Sequence, residues 1–268
     1  MGYRPDRRPT NLDGKQALVT GASAGIGKAT AVALAARGAN VVLVGRRRDR
    51  LDEVAELIHG KGGTAWVLPL DVTDQEAIDA ALKTHASYFT KTDILVNNAG
   101  LAKGVDKVQK SDPEHWATMM DTNVLGLLRM TRAIVSHMVE RGEGHIVNLG
   151  SVAGRWVYPG GAVYCASKFA VRALTEGMRL DLHGTGIRVT NISPGLVETE
   201  FSIVRLQDRQ KADKVYDRTT PLVAEDIADC ILWTLERPAH VNIQEMVVYP
   251  TDQAAVQAVH RYEREGQK

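Results

Sequence analysis

Gln16-Ala-Leu-Val-Thr20-Gly21-Ala-Ser-Ala-Gly25-Ile-Gly27 passes from a short β-rich run into a glycine-rich turn and on into a helical pattern. Gln16 to Thr20 reads as a strand, and the helix after it as Ile26 to Arg37. Between them, Gly21, Gly25 and Gly27 permit a tight turn and close approach of a backbone or ligand. A helix that opens there presents free N–H groups, which suit a phosphate. The spacing is Gly-x-x-x-Gly-x-Gly, not the dinucleotide fingerprint Gly-x-Gly-x-x-Gly, so by itself the segment also fits a plain strand-to-helix turn.

Outward from this unit the same alternation continues. Further strands are expected at Asn40 to Val44, Thr64 to Leu68, Asp93 to Asn97, His145 to Leu149, Arg188 to Ile192 and Glu245 to Val248. Helical patterns lie between them at Asp49 to Gly60, Gln75 to Thr84, Pro113 to Met138, Ala162 to Leu182 and Ala224 to Glu236. Most of the strands are apolar on both faces, as strands of a parallel sheet covered on both sides must be. About seven strands and six helices in alternation predict an α/β fold, a doubly wound parallel sheet with helices on both faces. Asp112 is placed to cap the fourth helix and Pro113 to occupy its first turn.

Composition bounds the function. The 268 residues carry 33 Lys and Arg against 32 Asp and Glu, so no bulk field draws nucleic acid or an anionic membrane. No apolar run approaches the ~18 residues of a membrane span. Cys165 and Cys230 form no CxxC pair and suggest buried thiols in a reducing compartment, and the eight histidines show no metal-ligand spacing. Residues 1–13 are polar and Pro-broken, with no apolar segment for a signal peptide, and are expected to form a flexible arm. No linker divides residues 14–268, which are read as one domain of a cytoplasmic protein.

The chemistry resides downstream, in Val163-Tyr164-Cys-Ala-Ser-Lys168-Phe169. Four residues apart on a helix, the phenol of Tyr164 and the ammonium of Lys168 share a face, where the positive charge favours phenolate. A tyrosine ionises near pH ~10, so proton exchange near neutrality asks for a shift of roughly 3 units, or about 4 kcal/mol. Ser151 stands thirteen residues before Tyr164. Alone, Ser151 would pass for a strand-end cap, and Asn97-Asn-Ala-Gly100 for the turn that stops the fourth strand. Asn123 is a poor helix former in mid-helix, which favours a polar role for it.

Taken together and in this order, Thr20 to Gly27, Asp71-Val72, Asn97 to Gly100, Asn123, Ser151, Tyr164 with Lys168, and Pro194-Gly195 resemble the short-chain dehydrogenase/reductase family over residues 14 to about 250. The resemblance implies a Rossmann-like single domain, a nicotinamide cofactor and a Ser-Tyr-Lys-Asn relay. Ser151 would hydrogen-bond the substrate oxygen and Tyr164 exchange its proton. Lys168 would lower the Tyr164 pKa and bind the nicotinamide ribose, and Asn123 would hold a water that completes the relay. Gly21, Ser23, Gly25, Ile26 and Gly27 would surround the pyrophosphate, Asp71 and Val72 the adenine, and Asn98, Ala99 and Gly100 the ribose side. Pro194, Gly195, Val197 and Thr199 would lie against the nicotinamide. The family also suggests a homotetramer built on the helices at 113–138 and 162–182 and the last strand.

Cofactor choice is legible at the end of the second strand, Val41-Val-Leu-Val-Gly45-Arg46-Arg47-Arg48. An acidic residue there would bind the ribose 2'-hydroxyl and repel a 2'-phosphate; Gly45 offers none, and Arg46, helped by Ser23 and Arg47, points to NADP(H). The stretches Ser151–Gly161, Ser193–Arg205 and Pro238–Met246 are similar to the subgroup of NADP-dependent 3-hydroxy acid dehydrogenases, which implies a small 3-hydroxy or 3-oxo acid as substrate. A carboxylate calls for a forked arginine, and both Arg205 and Arg155 are candidates. Residues 199–216 are expected to close over the substrate. Reduction of bulkier ketones, or cofactor sensing without chemistry, are the other readings.

Overall fold

Alternation along β1 (Gln16–Thr20) sends Ala17 and Val19 to one side and Leu18 to the other, and all three are fully buried. Only a strand covered on both faces behaves this way, and the architecture follows from it. The computed structural model describes residues 6–263. After β1 come β2 (Asn40–Gly45), β3 (Thr64–Pro69), β4 (Ile94–Asn97), β5 (Gly144–Leu149), β6 (Ile187–Pro194) and β7 (Glu245–Val248), in one sheet of order β3-β2-β1-β4-β5-β6-β7 with every pairing parallel.

The helices are α1 (Gly25–Ala36), α2 (Arg48–His59), α3 (Gln75–Thr84), α4 (Ala86–Thr90), α5 (Pro113–Met120), α6 (Leu127–Arg141), α7 (Ala162–Asp181), α8 (Phe201–Leu206), α9 (Arg209–Tyr216) and α10 (Ala224–Leu235). Leu34, Val54, Ile58 and Ile231 of α1, α2 and α10 pack on Val19 and Leu43. Ile78, Phe89, Met130, Ile134 and Met138 of α3, α4 and α6 pack on Leu18, Val42 and Leu95 across the sheet. Each buried Leu, Ile or Met contributes about 1.5–3 kcal/mol, so these two layers hold the sheet between them. No helix among the described residues is long and apolar enough to cross a membrane.

Two expectations are corrected. The helix expected at Pro113 to Met138 is helical throughout and runs on to Arg141, but it is not uniformly α: α5 passes into a π-helical stretch at Asp121–Gly126 before α6. Gly126 packs tightly within this stretch, since a Cβ on it would come within 2.7 Å of the Val72 side chain. The widened turn carries Asn123. The arm expected to be loose lies outside the described residues over 1–5 and is docked further on. Thr10 donates its N–H to the Glu236 carbonyl (3.1 Å) and its hydroxyl to that of Arg237 (2.7 Å), while Leu12 enters the core.

Candidate active site

Strand order reverses between β1 and β4, and the carboxyl ends of the strands open there into a cleft of about 680 Å³. Such a switch point is where doubly wound sheets bind ligands. The glycine turn forms one wall. Gly21 (φ 66°) and Gly25 (φ 51°) adopt left-handed backbone that a side chain would strain. A Cβ on Gly27 would lie 2.3 Å from the Gly21 carbonyl, so α1 starts hard against the turn. Asn98 locks it by donating to the carbonyls of Thr20 (2.9 Å) and Gly21 (3.2 Å), and the Thr20 hydroxyl accepts from the N–H groups of Asn98 and Ala99. The first turn of α1 has no side-chain cap and no acidic residue, which leaves its N–H groups for an anion. Ser23, Ile26, Ala99 and Gly100 complete this wall, and Gly27 supports it from behind.

At the end of β2 the arginines face carboxylates. Arg46 lies 3.7 Å from Asp71, whose other oxygen accepts from the N–H (3.0 Å) and hydroxyl (2.8 Å) of Thr73. Arg47 donates to the Ser23 hydroxyl (3.1 Å) and pairs with Glu200 (3.1 Å) across the cleft. Pairs this exposed are weak, so a phosphate can displace them. Gly45 brings no carboxylate of its own, and Ser23, Arg46 and Arg47 form a basic corner of the cleft wall. Val72 flanks Asp71 in the same wall.

On the far side, β5 ends at Leu149 with Ser151 two residues beyond it, and α7 places Tyr164 and Lys168 one turn apart in the cleft. The Ser151 hydroxyl accepts from the Ala153 N–H (3.1 Å) and stands near enough to the Tyr164 phenol to favour its ionised form. Burial raises the Tyr164 pKa, against the opposing pull of Ser151 and of the Arg205 charge. The expected lowering by Lys168 is absent here, because the Lys168 ammonium donates to the Leu149 carbonyl (2.7 Å) and burial drops its own pKa to about 8. Tyr164 thus holds its proton, and Lys168 is the more readily ionised of the two.

Asn123 is nearly fully buried and does not line the cleft. Its amide accepts from the Leu101 N–H (2.8 Å) and donates to the Leu101 carbonyl (2.8 Å) and the Ser167 hydroxyl (3.0 Å). Both donors of the amide are therefore spent on protein, and its side chain pins the loop after β4 to α7.

Pro194 at the end of β6, with Gly195, Val197 and Thr199 after it, lines the floor. Gly195 has no room for a Cβ, which would lie 2.3 Å from the Gln253 side chain, and the same amide oxygen accepts from the Leu196 N–H (2.7 Å). Helices α8 and α9 occupy the expected closing segment, and Phe201, Val204, Arg205 and Tyr216 cover the cleft. Tyr216 stitches them down, with its hydroxyl 2.9 Å from the Val197 carbonyl and 2.6 Å from Ser202.

The two arginines offered for a substrate carboxylate part company. Arg205 sits in the cleft, its guanidinium 5.7 Å from the Tyr164 ring centre. Arg155 is corrected: it is not in the cleft wall, and its guanidinium forks onto Glu245 of β7. The chain leaves Ser151 through a 3₁₀ turn at Val152–Gly154, which swings position 155 toward the sheet edge. Residues that sequence reasoning missed include Tyr158, Glu200, Gln253, Val256 and Gln257. Tyr158 and Glu200 lie within motif stretches already singled out, whereas nothing local marks Gln253, Val256 and Gln257, which reach the cleft only through the fold.

The short chain dehydrogenase family profile matches residues 15–210. The chain is 45% identical to NADP-dependent 3-hydroxy acid dehydrogenase YdfG of Escherichia coli (strain K12) over 247 residues, covering 91% of this chain and 98% of that protein. It is also 45% identical to sulfoacetaldehyde reductase 2 of Chromohalobacter salexigens over 239 residues, 88% of this chain and 94% of that one. Among solved structures, the closed form of serine dehydrogenase complexed with NADP+ superposes with a TM-score of 0.86 at 44% identity, covering 92% of this chain and 100% of that one.

Proposed function

We propose a specific activity for a chain that belongs to the short chain dehydrogenase family: an NADP-dependent oxidoreductase that interconverts a small 3-hydroxy acid and its 3-oxo acid. The observation that carries the reading is the Arg205 guanidinium beside Tyr164. Its partners in the cleft are neutral, the Gly104 carbonyl (3.1 Å) and the Tyr158 hydroxyl (3.0 Å), while Arg46, Arg47 and Arg155 all face carboxylates. A guanidinium without a counter-charge next to the proton-transfer group suits an acidic substrate.

NADP would be held by the glycine turn, by Ser23, Arg46 and Arg47 at the 2'-phosphate, by Asp71 and Val72 at the adenine, and by Pro194 to Thr199 at the nicotinamide. The nicotinamide, when bound, supplies or accepts the hydride. Ser151 donates to the substrate oxygen and orients it toward Tyr164. In the reducing direction Tyr164 gives its proton to that oxygen, a role suited to a phenol that burial keeps protonated. In the oxidising direction Tyr164 must first give its proton to Lys168, whose pKa of about 8 leaves part of it neutral, and the phenolate oxygen then takes the proton of the alcohol. Lys168 holds the ribose hydroxyls and passes protons to and from Tyr164, while Asn123 fixes the loop on which Gly100 approaches the ribose. Arg205 pairs with the carboxylate.

We further place the protein in the cytoplasm as a homotetramer. Exposed Leu125, Phe169 and Leu180 on the π-helical stretch and α7 support that assembly, and sedimentation velocity of the full chain tests it. The activity itself is tested with 3-hydroxypropionate, serine and a set of neutral alcohols, each with NADP and NAD. The expected result is a preference for the acids and for NADP. In Tyr164→Phe, turnover should fall at least ~100-fold while NADP binding, followed by fluorescence, is retained. Near-normal turnover in that variant rules out the assigned proton transfer.

A further inference from the structure

Three segments converge beside Tyr164. The loop after β4 and helix α8 are zipped at one point, where the Gly104 N–H donates to the Arg205 carbonyl (2.9 Å) and the Arg205 Nε donates to the Gly104 carbonyl (3.1 Å). The third segment brings Tyr158, whose ring is seated on Gly161, where a Cβ would come within 2.3 Å of it. Tyr158 packs in the same apolar cluster as Tyr164, and the Arg205 guanidinium lies 5.4 Å from its ring centre.

The donors left over define what this corner accepts. Arginine carries five N–H groups; here Nε is used by Gly104 and one Nη1 hydrogen by the Tyr158 oxygen, so three remain. The Tyr158 hydroxyl accepts from Arg205, and its own hydrogen meets no acceptor among the described residues. Burial also raises the Tyr158 pKa, which keeps that hydrogen in place at neutral pH. No carboxylate pairs with Arg205 among the described residues. Two adjacent groups thus lack an acceptor among the described residues.

We propose that Tyr158 and Arg205 together form the oxyanion end of the substrate site, with the Tyr158 hydroxyl donating to the same carboxylate or sulfonate that the Arg205 fork grips. The proposal rests on the hydroxy acid reading and adds to it a second ligand and a wider substrate class. A carboxylate offers two oxygens and a sulfonate three, and either can meet the guanidinium and the phenol at once. Tyr158 is then a specificity-determining residue, and Arg205 owes its orientation to it and to Gly104.

The test compares 3-hydroxypropionate, 2-hydroxyethanesulfonate and the uncharged methyl 3-hydroxypropionate as alcohols oxidised by the full enzyme with NADP. In Tyr158→Phe the acid-to-ester ratio of kcat/KM should fall about ten- to a hundredfold, the usual worth of a hydrogen bond to a charged group. Arg205→Gln should lose the same discrimination, and the double variant should lose less than the product of the two, because both side chains hold one anion. Damage to packing alone lowers all three substrates together and leaves the ratio unchanged, which overturns the proposal. A wild type that shows no preference for the acids over the ester removes the hydroxy acid reading as well. A preference that survives in Tyr158→Phe removes only the role given to Tyr158. Loss confined to 3-hydroxypropionate makes the site a carboxylate site, and loss on both acids makes it a site for either anion.

Discussion

Arg46 and Arg47 sit at the end of β2 with partly exposed guanidinium groups, each balanced by a carboxylate that a phosphate can replace. Removing one partner of a charged pair costs up to several kcal/mol, but two arginines and Ser23 share this load. Arg46→Ala is therefore expected to weaken NADP binding about ten- to a hundredfold and to leave NAD nearly unchanged. Isothermal titration with both cofactors decides it, since equal losses would mean that Arg46 does not read the 2'-phosphate. The identity of these residues was legible in sequence because cofactor choice depends on residue type at one strand end. Arg155 shows the limit of that logic. Its residue type suited a carboxylate as well as Arg205 did, and only the 3₁₀ turn after Ser151 turned it toward Glu245.

Among the elements, the turn between β1 and α1 is the least tolerant. A Cβ at position 27 would press on the Gly21 carbonyl at 2.3 Å and the Asn98 amide at 2.4 Å, both of which build the turn. Gly27→Ala should cost about 1–3 kcal/mol as an overpacked site, lower the Tm by roughly 2–4 °C per kcal/mol, and weaken NADP binding more than Arg46→Ala. Scanning calorimetry with and without NADP measures both effects, and an unchanged Tm would contradict the packing argument. Strands and most helices were readable from periodicity, which reports burial on one or two faces. The π-helical turn within the expected 113–138 helix was not, because an apolar pattern does not distinguish one π-turn from the α-helix around it, and the close approach of Val72 to Gly126 comes from a residue more than fifty positions away. Helices α8 and α9 fall within the 199–216 stretch marked in sequence, yet the strap from Tyr249 to Gln257, which clamps Gly195 and Leu196, carried no local signal.

For the molecule as a whole, buried bases make stability depend on pH. Burial takes Lys168 from 10.5 in the open chain to about 8 in the fold, so between these values the unfolded state binds more protons and stability rises with pH. His145, buried with its pKa well below 6.5, acts in the same sense at lower pH, and its contribution is lost on acidification through that range. Relative to Lys168→Met, the cofactor-free wild type should therefore gain up to about 3 kcal/mol as pH rises from near 7.5 to near 10.5. Chemical denaturation at the two pH values checks this, and a constant gap would show that Lys168 is not the group concerned. The sequence by itself determined the sheet, its crossovers, the glycine turn, the arginines at β2 and the Tyr164–Lys168 pair, because each depends on residue type and spacing within one or two consecutive elements. Tertiary structure alone decided that Arg205 and not Arg155 faces Tyr164, that Tyr158 and Gln253 reach the cleft, and that Tyr164 keeps its proton. Those outcomes depend on which distant segments meet and on how much water they exclude, and neither quantity is written in local pattern.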